Sequence, residues 1–127
     1  MPEFEKKDLE LWKRLYLITL VLGIVIVASG LLSPNLLSRV FYTIIGILKI
    51  GSSLLGLKVG KNPERVIIIS WLLFAFTVSF LLIVPGPVFS APEILMLTAT
   101  LSAIVTGIIG LYGILGVSKK YKLPVAP

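Results

Sequence analysis

The sequence predicts an all-α integral membrane protein, a bundle of four antiparallel transmembrane helices with both termini in the cytoplasm. Of the 127 residues, 57% are hydrophobic and only 14% are charged, whereas about a quarter of the residues of an ordinary soluble domain are charged. The mean hydropathy is +1.04. Four apolar stretches approach the roughly 20 residues that a helix needs to cross a bilayer. The composition therefore excludes a soluble globular domain and a disordered segment.

The first predicted span covers residues 16–32 and contains no charged residue. Residues 1–15 are predicted to form a cytoplasmic interfacial segment, in which leucines alternate with charged residues. Trp12 and Tyr16 are predicted to lie at the lipid–water interface, where aromatic residues are enriched. We expect this span to be a membrane anchor and not a cleaved signal peptide, because it is long and follows acidic residues.

The second predicted span covers residues 36–57 and follows Ser33-Pro34-Asn35, a short turn that contains capping residues. Because the turn is so short, the first two spans should form a hairpin. The third span covers residues 66–84 and ends at the break Pro85-Gly86-Pro87.

The fourth predicted span covers residues 92–117. Pro92 suits its first position, because proline lacks the N–H group that a helix start leaves unpaired. A basic tail, residues 118–127, follows it. The two hairpins resemble each other weakly, either as a diverged parallel repeat or because any two helical hairpins look alike.

Lysine and arginine predict the orientation of these spans. Ten of the 12 basic residues precede span one, separate spans two and three, or follow span four. They are Lys6, Lys7, Lys13, Arg14, Lys58, Lys61, Arg65, Lys119, Lys120 and Lys122. The positive-inside rule assigns that side to the cytoplasm of a multi-pass cell-membrane protein. The net charge of +6 therefore predicts contact with anionic lipid headgroups rather than with nucleic acid.

Lys49 is the charged residue that lies well inside a predicted span. At 100° per residue it shares a polar helix face with Arg39, Tyr42, Thr43 and Ser53. Two interpretations are open. An intramembrane charge commonly faces a bundle interior or a hydrated cavity and marks function. Alternatively, its long stem allows the ammonium to snorkel to the headgroups.

The fourth span separates small residues from large ones. One face holds Ala99, Ser102, Ala103, Thr106, Gly107, Gly110 and Gly113. Such a smooth face lets another helix approach closely, which favours association in a membrane. The contact could lie within one chain or between chains. The hydroxyls of Ser70, Thr77, Thr98 and Thr100 are expected to bond back to their own helices.

The residue types also restrict the chemistry. The chain has no Cys and no His, a composition that would suit a thermophile. We find no nucleophile–base pair, phosphate-binding glycine loop or metal-ligand cluster. The sequence therefore predicts no catalytic residue, no metal and no cofactor, and a protein that is not an enzyme. A lipid-embedded enzyme is the weakest of the functional hypotheses.

Two stretches carry a family resemblance. Residues 31–46, LLSPNLLSRVFYTIIG, and residues 92–99, PEILMLTA, resemble the small C subunit of multisubunit Na⁺/H⁺ antiporters, which is similar to the K subunit of respiratory complex I. That family has three spans, so residues 66–84 are additional. The intramembrane Glu of the complex I subunit has no equivalent here, since the matching region reads Gly46-Ile47-Leu48-Lys49. The first hairpin also resembles small acid-resistance membrane proteins of the HdeD type.

The resemblance implies a non-catalytic integral subunit of a larger, ion-translocating membrane complex. Such a subunit would contact other membrane subunits or copies of itself. The alternative is a self-contained, homo-oligomeric transporter or channel built around the face that bears Lys49.

Overall fold

The computed structural model describes residues 4–34, 36–59, 61–83 and 93–123, and every element in these ranges is helical. The elements are α1 (Lys6–Leu31), α2 (Leu36–Val59), α3 (Pro63–Ile83), α4 (Glu93–Tyr112), a π-helical turn (Gly113–Val117) and α5 (Ser118–Tyr121). Within the described residues, four helices are long and apolar enough to cross a membrane. The all-α class and the four candidate spans are thus confirmed.

The helices extend beyond the predicted spans at the two ends of the chain. Helix α1 begins at Lys6, so most of the predicted interfacial segment 1–15 belongs to the same helix as the first span. The last helix continues through the π-helical turn to Tyr121, past the predicted end at Val117. Hydropathy marks the part of a helix that fits hydrocarbon, whereas backbone hydrogen bonding continues into water. Asn35, the break Pro85-Gly86-Pro87 and Pro92 lie outside the described residues.

Glycines bring α1 and α2 into close contact. A Cβ atom added at Gly30 would lie 2.7 Å from the Tyr42 Cβ, and one at Gly23 would lie 2.9 Å from the Ile50 side chain. One at Gly56 would lie 2.6 Å from the ring of Tyr16. The contacts therefore run in opposite order along the two helices, and small residues permit the close approach on which membrane helix packing depends.

Two apolar clusters fill the interior of the bundle. The terminal cluster lies near the chain ends and consists of Trp12, Tyr16, Val66, Ile67, Ile69, Leu73 and Val117. The distal cluster lies toward the opposite end and consists of Ile26, Tyr42, Ile45, Phe80, Ala99 and Ala103. Both clusters bury large side chains against residues from three or more helices.

Trp12 and Tyr16 lie inside the bundle and not on its lipid-facing surface. Their exposed fractions are only 2% and 1%. The packing of α1 against the last turn of α4 explains this position, because Tyr112 lies there and its ring stacks on Trp12 with centroids 5.8 Å apart. Gly113 also leaves room for the Trp12 ring.

The outer surface of the bundle is apolar. Large aliphatic side chains point outward from all four helices, among them Val21, Ile47, Leu72, Leu82, Ile108 and Leu115. An apolar surface of this extent is typical of a protein that is covered by lipid or by a partner.

Candidate functional site

Lys49 lies in the interior of the bundle with no exposed surface. Its Nζ donates hydrogen bonds to Thr77 Oγ1 at 2.7 Å, to the Ala103 carbonyl oxygen at 3.4 Å and to Thr106 Oγ1. Lys49 extends from α2, while its partners belong to α3 and α4. We call Lys49, Thr77, Ala103 and Thr106 the lysine centre.

Neutral oxygens satisfy all three N–H donors of the ammonium. The Thr77 hydroxyl can donate to Leu73 O at 3.0 Å or to Ala103 O at 3.1 Å, and the Thr106 hydroxyl donates to Ala103 O at 2.8 Å. Among the described residues, the carboxylates that contact a lysine belong to Glu5 and Asp8, which lie near the chain ends. The lysine centre therefore surrounds the Lys49 amine with hydroxyl and carbonyl dipoles, and a positive charge there is costly in an apolar interior.

The lysine centre lies between the two apolar clusters. Along α3, Thr77 lies between Leu73 of the terminal cluster and Phe80 of the distal cluster. On α4, Ala103 belongs to the distal cluster and also contributes its carbonyl to Lys49. The Lys49 side chain therefore points across the bundle and does not snorkel toward a helix end.

The polar face predicted on α2 divides into an inner and an outer part. Tyr42 is fully buried, and so is Ser53, whose Oγ donates to Lys49 O at 2.9 Å and lies 2.7 Å from Thr19 Oγ1. Thr43 is partly buried. Arg39 is exposed and donates to Ser33 O at 3.2 and 3.1 Å. Arg39 is ten positions before Lys49, about 15 Å along a helix, and so belongs to the α1–α2 connection instead.

The small-residue face of α4 packs within the same chain. Its seven members are buried: Ala99, Ser102, Ala103, Thr106, Gly107, Gly110 and Gly113. A Cβ atom at Gly107 would lie 2.6 Å from Thr77 Cγ2, and one at Gly110 would lie 2.8 Å from Ser70 O. One at Gly113 would lie 2.7 Å from Trp12. The face therefore serves contacts with α3 and α1, which leaves it unavailable to a partner chain.

The sequence did not reveal the role of Thr77. As expected, its hydroxyl bonds back to its own helix, but it also accepts a hydrogen bond from Lys49. One feature of the sequence could have indicated that Thr77 faces the bundle interior. Ser70 and Thr77 are seven residues apart, which places them on one face of an otherwise very apolar helix. Both are buried in the structure.

Several buried hydroxyls in the described part of the chain have no hydrogen-bond partner. They are Tyr16 OH, Ser33 Oγ, Tyr42 OH, Thr43 Oγ1 and Ser70 Oγ. Buried polar atoms normally have a partner, which can be ordered water. These unpaired hydroxyls lie on both sides of Lys49 along the bundle.

A second polar cluster joins the two chain ends, and the sequence did not predict it. Asp8 accepts hydrogen bonds from Lys120 Nζ at 2.6 Å and from Tyr121 OH. The Glu5 N–H donates to Tyr121 OH at 3.1 Å, and the Glu5 carboxylate lies 3.6 Å from Lys120 Nζ. We call these four residues the terminal clasp. It places the beginning of α1 beside α5 at one end of the bundle.

No protein-family model, curated protein or solved structure matches the chain. The resemblance to antiporter C subunits and to HdeD-type proteins stays a prediction.

Proposed function

We propose that this protein translocates an ion across the membrane through its own helical bundle and that the ion passes the lysine centre. The observation that carries the proposal is the burial of Lys49 in mid-bundle with neutral partners alone among the described residues. Ionisable side chains that face the interior of a membrane bundle commonly belong to ion pathways and proton relays. A role within one chain fits better than one between chains, because the Lys49 side chain and the α4 small-residue face are both internal.

In the proposed topology the four spans are antiparallel and both termini lie in the cytoplasm of a cell-membrane protein. All ten basic residues used for the positive-inside assignment are exposed, and the terminal clasp joins the chain ends at one end of the bundle. This cytoplasmic surface would attract anionic lipid headgroups.

Because the native chain has no cysteine, single cysteines test this topology with an impermeant thiol reagent. Lys61 and Lys119 are exposed and suit the cytoplasmic side, whereas Ser118 is buried and unsuitable. Ser90, in the connection between spans three and four, is the outer reporter. Intact cells should label Ser90→Cys alone. Labelling of Lys61→Cys or Lys119→Cys in intact cells would overturn the orientation.

The chemistry of the proposed pathway follows from the amine of Lys49. An amine can take up and release a proton, and an ammonium attracts an anion. The terminal cluster closes the bundle on one side of Lys49, and the distal cluster closes it on the other. Passage therefore requires the clusters to open in turn, as in transporters whose site lies near the bilayer midplane.

Flux measurements on liposomes that contain the purified protein test this proposal. We expect Lys49→Met to abolish proton and anion flux, followed with a pH-sensitive and a potential-sensitive dye. Lys58→Met is the matched control, since Lys58 is exposed at the helix end, and it should retain flux. Native flux in the Lys49→Met protein would refute the proposal.

A second candidate function is that of a non-catalytic subunit in a larger membrane complex. Gly51 favours it, because this glycine is exposed on α2 and an added Cβ atom would meet no atom within 4 Å. Leu48 and Leu55 flank it on the same outer face, so the glycine forms a notch into which another helix could pack. Co-purification of different chains in mild detergent, lost in Gly51→Leu, would favour the subunit. Leu48→Met is a control that leaves the notch open.

A further inference from the structure

A groove lies between α3 and α4 on the outside of the bundle. Its walls include Phe74, Val78 and Leu81 from α3, and Ile104, Gly107 and Ile108 from α4, and they border an open space of about 190 Å³. Val78 and Ile108 are exposed. Because both helices are candidate membrane spans, the groove opens toward hydrocarbon and fits an alkyl chain.

Thr77 belongs both to the wall of this groove and to the lysine centre. Thr77 lines the groove, and its Cγ2 lies 2.6 Å from the position that a Cβ atom at Gly107 would occupy. On its other side, Thr77 Oγ1 accepts the hydrogen bond from Lys49. Threonine in a helix divides between two χ1 rotamers, so rotation of Thr77 would turn its hydroxyl away from Lys49 and release one hydrogen-bond position of the amine.

The charge of the site selects the head group of a ligand. Lys49 has hydroxyl and carbonyl partners, and a carboxylate would be a stronger acceptor for the ammonium, because opposite charges attract strongly in an interior of low dielectric constant. A phospholipid tail cannot supply this carboxylate, since its own head group stays at the membrane surface. A free alkanoate has one chain and can place its head group at the depth of Lys49.

We propose that the α3–α4 groove binds the alkyl chain of a lipophilic carboxylate, whose head group displaces Thr77 and pairs with Lys49. The ligand reaches the site sideways from the membrane. The inference concerns binding and does not depend on ion translocation, so it can hold where no flux is found.

Photoreactive dodecanoate and dodecanol analogues provide the test, because they differ in the head group and share the alkyl chain. Each is added at equal membrane concentration to the protein in phosphatidylcholine nanodiscs, and labelling of α3 and α4 peptides is measured by mass spectrometry. We expect the acid to label the native protein at least about tenfold more than the alcohol, because only the acid can place a negative charge beside Lys49. Equal labelling by the two probes would overturn the proposal.

Variants locate the two halves of the site. Val78→Phe should fill the groove and reduce labelling by both probes, whereas Val21→Phe, on the exposed side of α1, should have no effect. Lys49→Met should remove the preference for the acid. An acid preference that survives Lys49→Met, or labelling that Val78→Phe leaves unchanged, would refute the site.

Thr77→Val tests whether the carboxylate displaces Thr77 from Lys49, and it does so even if the Lys49→Met protein does not fold. Valine keeps the shape of threonine but removes the hydroxyl that competes with the carboxylate for Lys49. The preference for the acid should therefore rise above that of the native protein. An unchanged or smaller preference would refute the proposed displacement of Thr77.

Discussion

Lys49 and Lys120 show how differently one residue type is used in two regions of this protein. Lys49 is fully buried and bonds to neutral oxygens from α3 and α4. The Lys120 side chain is 48% exposed and pairs with the carboxylates of Asp8 and Glu5. Opposite charges therefore meet where water reaches Lys120, whereas the lysine that water does not reach lies among dipoles. The difference indicates that the terminal clasp holds the two chain ends together, and it is the basis of our proposal that charge acts at the lysine centre.

The largest effect on folding should come from larger side chains introduced on the small-residue face of α4, beside the lysine centre. Gly107→Leu and Ala103→Leu should both insert into the membrane, because leucine is favourable there. Each should nevertheless destabilise the folded monomer by about 1–3 kcal/mol, since it overpacks a tight internal contact. The yield of folded monomer in mild detergent measures the effect.

The matched control for this prediction is Ile108→Leu on the exposed side of the same helix, which should be silent. Partner loss from a folded monomer would show that the face lies between chains. Leucine variants that behave like the control would show that the face contacts lipid.

A smaller effect in the opposite direction, an unchanged or increased free energy of unfolding, should follow from Lys49→Met. This change removes a buried charge without leaving a described carboxylate unpaired, and Thr77 and Thr106 keep bonds to their own helices. Replacing buried charge by an apolar side chain is often neutral or stabilising, here by up to about 2 kcal/mol. Thermal unfolding in detergent measures it. Strong destabilisation would reveal an acidic partner for Lys49 beyond the described residues.

The smallest effect should come from the terminal clasp. Asp8→Asn weakens the bonds from Lys120 and Tyr121, but the Lys120 side chain is 48% exposed, and ion pairs of exposed side chains contribute little to stability. We expect nearly unchanged unfolding, with faster amide hydrogen exchange in α5 alone. High salt should have the same effect on the native chain, because it screens exposed pairs. Glu10→Gln, on an exposed residue of the same helix, is the control. Unchanged exchange in Asp8→Asn would mean that the clasp does not hold α5.

Hydropathy predicted the helices well, because crossing a bilayer requires a length of apolar sequence that few other structures need. It could not predict their contacts. The small-residue face of α4 was identified from its spacing, but its partners Ser70 and Thr77 depend on how α3 is rotated. For the same reason, periodicity grouped Lys49 with Ser53 and Arg39, although only the first two are buried. Trp12 was expected at the lipid–water interface. Its burial depends on Tyr112, which is 100 positions away in the sequence, so the sequence pattern around Trp12 could not indicate it.

The reactivity of the Lys49 amine tests the central claim most directly. A membrane-permeant, uncharged amine reagent is added to the native protein in nanodiscs, and modification of Lys49 and Lys58 is followed by mass spectrometry. Lys49 can react only when the bundle opens, so we predict labelling at least about tenfold slower than at Lys58, with equal labelling after denaturation. Equal rates in the folded protein would show that Lys49 reaches the membrane surface and would contradict an internal lysine centre.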